Sequence, residues 1–184
     1  LLRISSCNDT TIVVSISKST GGEMDNLMSF YIYFKNKILY PKIQLKYKEV
    51  ALIGKTLSLH SNKANFLVFG AGNDTSMWVE LNKLGRTVFI EDDEKWVNKV
   101  KKMFPHAEIH AVNYMSKIND WKKLLNSSSD LKLNLPKDLE NINWDVILVD
   151  APCGNWSPSA SESDFIPAGR MSSIYSSSKL IKKG

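Results

Sequence analysis

The sequence is poor in cysteine, with only Cys7 and Cys153 among its 184 residues. Two cysteines so far apart in the chain supply neither a disulfide framework nor the clustered ligands of a zinc knuckle. The cysteines therefore do not indicate whether the protein works in an oxidising or a reducing compartment.

Long apolar runs and a concentrated basic arm are also lacking. No stretch is long and apolar enough to predict a membrane-spanning helix. The net charge of +5 is compatible with an acidic partner, but the lysines are spread over residues 35–63, 95–102 and 117–137. This spread is more typical of a solvated surface than of a nucleic-acid-binding tail. Nucleic acid is therefore not the partner that we expect.

The size and composition predict one globular domain. An apolar fraction of 43% and a charged fraction of 23% over 184 residues are sufficient for a hydrophobic core. The chain starts at Leu1 instead of Met and stops just after a helical pattern. We therefore expect both ends to be cut, which leaves room for an N-terminal signal or anchor upstream.

The chain is organised around a glycine turn. An apolar run of strand length, residues 66–69, stops at Gly70-Ala71-Gly72, and a helical pattern begins behind it. Strand, glycine turn and helix open a doubly wound α/β domain, in which glycines let a ligand approach the backbone. The third glycine of the dinucleotide fingerprint is missing, because Asp74 occupies its place. That absence disfavours NAD and leaves room for S-adenosylmethionine, which has no pyrophosphate.

The remaining pattern alternates strands and helices. Residues 1–42 are interpreted as an N-terminal extension with a helix at 23–39, and residues 43–184 as the α/β domain. A strand at 10–16 is compatible with the pattern. The predicted helices are at 23–39, 43–60, 76–84, 94–104, 118–125 and 170–182, and the predicted strands of the domain are at 66–69, 87–90, 108–112 and 144–150. We expect the two N-terminal helices to cover one edge of the sheet, with their aromatic residues in packing contacts. No fifth strand follows, so the sheet is predicted to be truncated.

Three clusters of candidate site residues fall at strand ends, where ligands bind in open parallel sheets. The first is the turn with Gly70, Gly72, Asn73 and Asp74. The second begins with Glu91, about twenty residues past Gly70, where an acid binds a ribose diol in such folds, and continues with Asp92. The third begins at Asp150, which either caps its loop, positions or deprotonates a hydroxyl, ligates a divalent metal or holds the ligand's amino group.

Four motifs in order resemble one known family. They are the turn segment at 66–78, the segment Gly85-Arg86-Thr87-Val88-Phe89-Ile90-Glu91-Asp92-Asp93, the strand and Asp-Ala-Pro sequence at 144–152, and Gly169-Arg170-Met171. In order and spacing the series resembles the glucuronoxylan 4-O-methyltransferases and their xylan-assembly relatives, over about residues 46–184. The resemblance implies a Rossmann-like methyltransferase fold and methyl transfer from S-adenosylmethionine to the 4-hydroxyl of glucuronic acid side chains on xylan. It also implies residence in the Golgi lumen, behind an N-terminal membrane anchor that this chain lacks.

The resemblance also implies roles for individual residues. Gly70, Gly72 and Asp74 match the family's cofactor turn, Glu91 matches its acid after the second strand, and Asp150 matches the aspartate of its Asp-Ala-Pro motif and is the predicted catalytic residue. Arg170 matches the arginine of the Gly-Arg-Met motif and is interpreted either as a clamp for a uronate carboxylate or as the partner of a neighbouring acid. The chain departs from the family at Asn73, where histidine is usual, and at Cys153, where arginine is usual. The loop at 155–168 is also longer than expected.

Two other functions stay open at this point. The run Asp150-Ala151-Pro152-Cys153 resembles the motif of RNA cytosine-5 methyltransferases, in which a thiolate activates the base. The second alternative is a non-catalytic xylan-assembly protein of the same fold. Sequons at Asn8, Asn73, Asn126 and Asn155 bear on the compartment. In a secretory protein we expect sugar on Asn126 and none on Asn73, since a glycan there would block the cofactor turn.

Overall fold

One mixed β-sheet forms the centre of the molecule. The computed structural model describes residues 2–3, 11–14, 23–152 and 168–182. The strands are β1 Leu2–Arg3, β2 Thr11–Val14, β3 Asn65–Phe69, β4 Arg86–Glu91, β5 Glu108–Ala111 and β6 Val146–Val149. They lie in the order β1-β2-β6-β3-β4-β5, in which β6, β3, β4 and β5 are parallel and β2 is antiparallel to β6. The predicted α/β fold is confirmed, and the strand expected at 10–16 is present as β2.

The strands β3 and β6 occupy the middle of the sheet because they are apolar at nearly every position. Phe66 pairs with Val146 and Phe69 with Val149, so the two strands end together. All four residues of β6 are buried, as are the last four of β3. Strands that are covered on both faces need such continuous apolar runs.

Helices cover both faces of this sheet. They are α1 Glu23–Leu39, α2 Tyr47–Ser58, α3 Thr75–Leu81, α4 Glu94–Met103, α5 Trp121–Leu124, α6 Lys137–Glu140 and α7 Met171–Leu180. Two short 3-10 turns, Ile118–Asp120 and Ser128–Leu131, flank α5. None of the helices in the described part of the chain is long and apolar enough to cross a bilayer.

Two of the helix boundaries that differ from the predicted ones have local reasons. The second helix begins at Tyr47 rather than at residue 43, because Lys46 is extended and its N–H donates to the Glu49 side chain at 2.7 Å. This hydrogen bond from the Lys46 N–H to the Glu49 side chain caps the first turn. The third helix ends at Leu81 rather than at residue 84. The buried amide of Asn82 there donates to the Ala64 carbonyl and accepts from the Ala64 N–H, which joins the helix end to β3.

The expectation that the two N-terminal helices cover an edge of the sheet is wrong. Residues of α1 and α2, among them Ile32, Ile53 and Leu57, share one buried cluster with Phe66 of β3 and Leu148 of β6. These helices therefore cover a face, together with α3 and α4. The opposite face packs against the segment 133–144 and α7.

The apolar stripe of α1 points outward. Leu27, Tyr31 and Ile38 are exposed, Ile38 by 77%, whereas Ser29 and Asn36 are buried. The predicted packing of the aromatic residues is correct for Tyr33, whose ring lies 5.7 Å from that of Tyr47 in a cluster with Phe30 and Phe34, and wrong for Tyr31. Small and polar residues also hold the helix beside the buried Ile32 and Tyr33, since Ser29 lies against Gly54 of α2.

The helix α7 also buries its polar face. Ser172, Ser173, Ser176 and Ser177 are buried, while Ile174 is exposed. Each buried serine has a hydrogen-bond partner, such as Ser116 for Ser172 at 2.7 Å and the Ser173 carbonyl for Ser177. Satisfied hydroxyls cost little to bury. Small serine side chains therefore let α7 approach the second face of the sheet closely.

Candidate functional site

The ends of three neighbouring strands bring the predicted site residues together. Gly70 follows β3, Glu91 ends β4 and Asp150 follows β6. The Gly70 N–H donates to the Ile90 carbonyl at 2.7 Å, and the Asp150 N–H donates to the Phe69 carbonyl at 2.8 Å. The predicted clusters therefore share one edge of the sheet, where ligands of this architecture bind.

Gly70 sits where only glycine fits well. Its φ is +114°, a conformation that side chains disfavour. A Cβ placed there would lie 3.0 Å from the Cβ of Ala151 and 3.3 Å from its N atom. The glycine turn and the Asp-Ala-Pro turn therefore pack directly on each other.

Glu91 joins the glycine turn to the end of β4. Its Oε2 accepts from the Ala71 N–H at 2.9 Å, and its Oε1 accepts from the N–H groups of Asp92 and Asp93 at 3.1 Å. Burial raises the pKa of Glu91, and the N–H groups oppose this rise. The carboxylate thus holds the turn in place. Its expected contact with a ribose stays a prediction, and the exposed Asp92 lies beside it as a second carboxylate.

Asp74 is the electrostatically unusual group of the turn. Its Oδ2 accepts from the indole N–H of Trp78 at 3.0 Å. Desolvation, with a contribution from the negative charge of Asp150, raises its pKa from 3.8 to about 6. Gly72 leaves room for this carboxylate, because a Cβ at residue 72 would lie 2.7 Å from Asp74 Oδ1. Asn73, between them, is half-buried.

This raised pKa predicts a pH-dependent gain in stability for Asp74→Asn. A carboxyl whose pKa is higher in the folded state makes the free energy of unfolding fall as pH rises from 3.8 to about 6. Asparagine keeps an acceptor for Trp78 and carries no charge. We expect Asp74→Asn to add on the order of 1–3 kcal/mol above pH 6.5, and to lose this gain towards pH 4.

Urea unfolding of the wild type and of Asp74→Asn at pH 4 and 7.5 measures this difference. Asp130→Asn, at an exposed position, is the control and should leave the free energy of unfolding unchanged at both pH values. A gain of the same size at pH 4 and pH 7.5 would contradict the electrostatic cause.

Arg170 holds the turn that carries Asp150. Its guanidinium donates to the carbonyls of Asp150 at 2.8 Å and Pro152 at 3.0 Å, and Nη2 lies 4.0 Å from Asp150 Oδ1. Two of its five N–H donors are used in the two hydrogen bonds. Arg170 thus fixes the Asp-Ala-Pro backbone, which is close to the second interpretation of this residue. The predicted contact with a substrate uronate remains a prediction for the other donors.

Two further groups belong to this edge and were missed in the sequence. The indole N–H of Trp96 donates to the Ala71 carbonyl. The buried hydroxyl of Tyr114 lies 2.7 Å from Ser173 Oγ, which donates to the Ala151 carbonyl at 3.1 Å. Burial raises the pKa of Tyr114, and the charges of Asp92 and Glu91 add to the rise. Tyr114 could have been found from its position just after the predicted strand at 108–112, since residues that follow such strands lie at the ligand-binding edge.

The residues at this edge fit a cationic, ribose-bearing cofactor such as S-adenosylmethionine. The negative charges of Asp74 and Asp150 repel each other, and a cation between or beside them would reduce this repulsion. Asp92 and Glu91 supply carboxylates on the neighbouring strand. Within the described residues, no group of three or more His, Cys, Asp or Glu side chains could hold a metal ion. Cys153, on which the RNA-type interpretation depends, and the loop at 155–167 lie outside the described residues.

Comparisons with known proteins give one family model and several curated relatives that match the chain. The family model described as IRX15/IRX15L/GXM matches residues 48–133 and 125–184. Glucuronoxylan 4-O-methyltransferase 1 of Arabidopsis thaliana is 35% identical over 85% of this chain and 57% of its own length. Arabinogalactan O-methyltransferase 1 of the same plant is 33% identical over 65% of this chain and 45% of its own length, and protein IRX15-LIKE is 33% identical over 76% and 48%.

The chain spans about half the length of these curated relatives. No solved structure matches it.

Proposed function

Because the chain belongs to the IRX15/IRX15L/GXM family, we propose that it is the cofactor-binding part of an O-methyltransferase that acts on glucuronic acid side chains of xylan or a related cell-wall polysaccharide. The observation that carries this proposal is the meeting of Gly70, Glu91 and Asp150 at one edge of the sheet. Relatives named as glucuronoxylan and arabinogalactan O-methyltransferases support the class of reaction and of acceptor.

The donor in this proposal is S-adenosylmethionine, which supplies an electrophilic methyl group when bound. The glycine turn keeps the backbone open to a ligand at Gly72 and Asn73. The ribose hydroxyls would donate hydrogen bonds to the Asp92 carboxylate, which lies next to Glu91. The positively charged amino group would pair with the Asp74 carboxylate. The electrostatic match is the reason for this assignment, since the two neighbouring carboxylates Asp74 and Asp150 favour a cation.

Asp150 is the proposed base for the acceptor hydroxyl. A sugar hydroxyl is too weak an acid to ionise unaided, so a positioned carboxylate that takes its proton lowers the barrier. Arg170 fixes the backbone on both sides of this carboxylate. The main contribution of the other residues is to hold donor and acceptor at reacting distance.

Calorimetry with S-adenosylmethionine and with its demethylated product tests the proposal, followed by a methyl-transfer assay on glucuronoxylan and on RNA. The proposal is supported if the donor binds and if methyl is transferred to glucuronoxylan but not to RNA. Binding of the polysaccharide without the donor would favour a non-catalytic xylan-assembly protein. Transfer to RNA would instead favour the thiolate chemistry of Cys153.

We propose that this reaction takes place in the Golgi lumen, as the resemblance to the family implies. The positions of two sequons are compatible with that compartment: Asn126 is exposed and open to glycosylation, whereas Asn73 is half-buried in the cofactor turn. Mass spectrometry of the protein from a plant secretory system would show sugar on Asn126 and none on Asn73.

A further inference from the structure

A cleft lies beside α7, away from the strand ends. It has a volume of about 330 Å³ and separates α7 from the segment that follows the 3-10 turn Ser128–Leu131. It is lined by the apolar Leu133, by Tyr175 and Lys179 of α7, and by Lys132 and Glu140. The volume is that of a small ligand site, and the mixture of apolar lining and few polar groups is typical of one.

Most polar groups of the cleft have a partner within the protein, but the ammonium of Lys179 has no carboxylate partner among the described residues. Lys132 Nζ lies 3.4 Å from Glu140 Oε1, and Ser176 Oγ accepts from the Leu133 N–H at 3.3 Å. Lys179 lies over the Tyr175 ring, 5.4 Å from its centre. Among the residues that the structure describes, no carboxylate lies within 4 Å of the Lys179 ammonium. The cleft therefore presents a cation beside an aromatic ring.

The position of the cleft connects it to the proposed reaction centre. Arg170 precedes the first residue of α7, and Tyr175 and Lys179 follow it at about 7.5 and 13.5 Å along the helix axis, at 1.5 Å per residue. A polymer whose reacting sugar lies at Asp150 would reach this distance with neighbouring sugars, whereas a single sugar would not.

We propose that this cleft binds a second, uronate-bearing segment of the acceptor polysaccharide. The inference rests on the proposed function, since it names a subsite for that acceptor. The apolar lining and the Tyr175 ring suit the C–H face of a sugar, and Lys179, joined by Lys132, suits its carboxylate. An RNA backbone would meet the same two lysines, so RNA is one arm of the test.

The test is affinity electrophoresis of the full chain in gels with glucuronoxylan, with xylan freed of uronates, and with RNA. Lys179→Gln and Tyr175→Ala are each expected to weaken binding to glucuronoxylan about five- to tenfold. The exposed Lys101→Gln on α4, which covers the opposite face, is the matched control and should bind as the wild type does.

Calorimetry with S-adenosylmethionine separates this inference from the proposed function. If the wild type binds the donor and Lys179→Gln binds the polymer as tightly as the wild type, the cleft is not a subsite although the function stands. If the donor does not bind and Lys179→Gln still weakens polymer binding, the subsite stands without the methyltransferase. If gels with uronate-free xylan or with RNA retard the protein as strongly as gels with glucuronoxylan, the inference is overturned. Lys179→Gln keeps the test valid should Tyr175→Ala fail to fold.

Discussion

Asp150→Asn is expected to lower methyl transfer by about 10²–10⁴-fold, the usual contribution of a positioned general base. The substitution keeps the size of the side chain, and it leaves the Asp150 N–H free to donate to the Phe69 carbonyl. It removes the negative charge of the side chain, and with it the ability to take the proton of the acceptor hydroxyl. Single-turnover methyl transfer to glucuronoxylan, with the donor saturating, measures the loss.

The donor affinity distinguishes a catalytic role of Asp150 from a structural one. We expect the affinity for S-adenosylmethionine to change by less than roughly fivefold, about 1 kcal/mol, because Glu91, Asp92 and Asp74 remain. Loss of the Asp150 charge should also lower the pKa of Asp74, since that charge helps to raise it. Asp138→Asn, on the exposed side of α6, is the control. Preserved turnover in Asp150→Asn would remove this residue from the mechanism.

The parts of the fold that were predicted correctly depend on local signals. The apolar runs that became β3 and β6 are short, continuous and bounded by turns, so their type and place follow from the residues themselves. The glycine turn and the acid after β4 have fixed places in this architecture, and strand ends at one edge of a parallel sheet must meet. Gly70, Glu91 and Asp150 therefore lie together as expected.

The orientation of α1 and α7 was not predictable from their own residues. Apolar spacing usually marks the buried face of a helix. Here α7 buries four serines, and α1 buries Ser29 and Asn36 beside Ile32 and Tyr33. Asn36 of α1 accepts from the Ser76 hydroxyl at 2.6 Å and donates to Glu80 at 3.1 Å, and both partners lie on α3. Ser173 of α7 likewise depends on Tyr114 and Ala151. Partners so distant in sequence leave no periodic signal.

The hydrogen-bond partners of the charged site residues were also not predictable from the sequence. A carboxylate at the end of β4 was expected to face a ligand, yet Glu91 accepts from three backbone N–H groups of the protein itself. The sequence predicts Arg170 either as a clamp for a uronate or as the partner of a neighbouring acid. In the structure its guanidinium donates to two carbonyls of the Asp-Ala-Pro turn. In both cases the sequence indicated an important charged residue, but which atoms satisfy that charge depends on loops that meet only in the folded chain.

Gly70→Ala is expected to destabilise the protein by about 2–5 kcal/mol. Backbone strain at a φ of +114° accounts for about 1–3 kcal/mol of this loss. The rest comes from crowding, because the new Cβ would lie 3.0 Å from the Cβ of Ala151. For a chain of this length the melting temperature should fall by roughly 5–15 °C. Thermal unfolding followed by circular dichroism measures the change.

Gly169→Ala is the matched control, since its Cβ would only meet Ile118 at 3.4 Å and its backbone has no unusual φ. Its melting temperature should stay within about 3 °C of the wild type. The double substitution Gly70→Ala with Ala151→Gly removes the Cβ–Cβ contact but neither the 3.3 Å contact with the backbone N of residue 151 nor the strain. It should therefore recover only part of the loss. Full recovery would mean that the φ of Gly70 costs nothing. If Gly70→Ala melts as the wild type does, the two turns do not pack as described, and the shared site of Gly70 and Asp150 loses its physical basis.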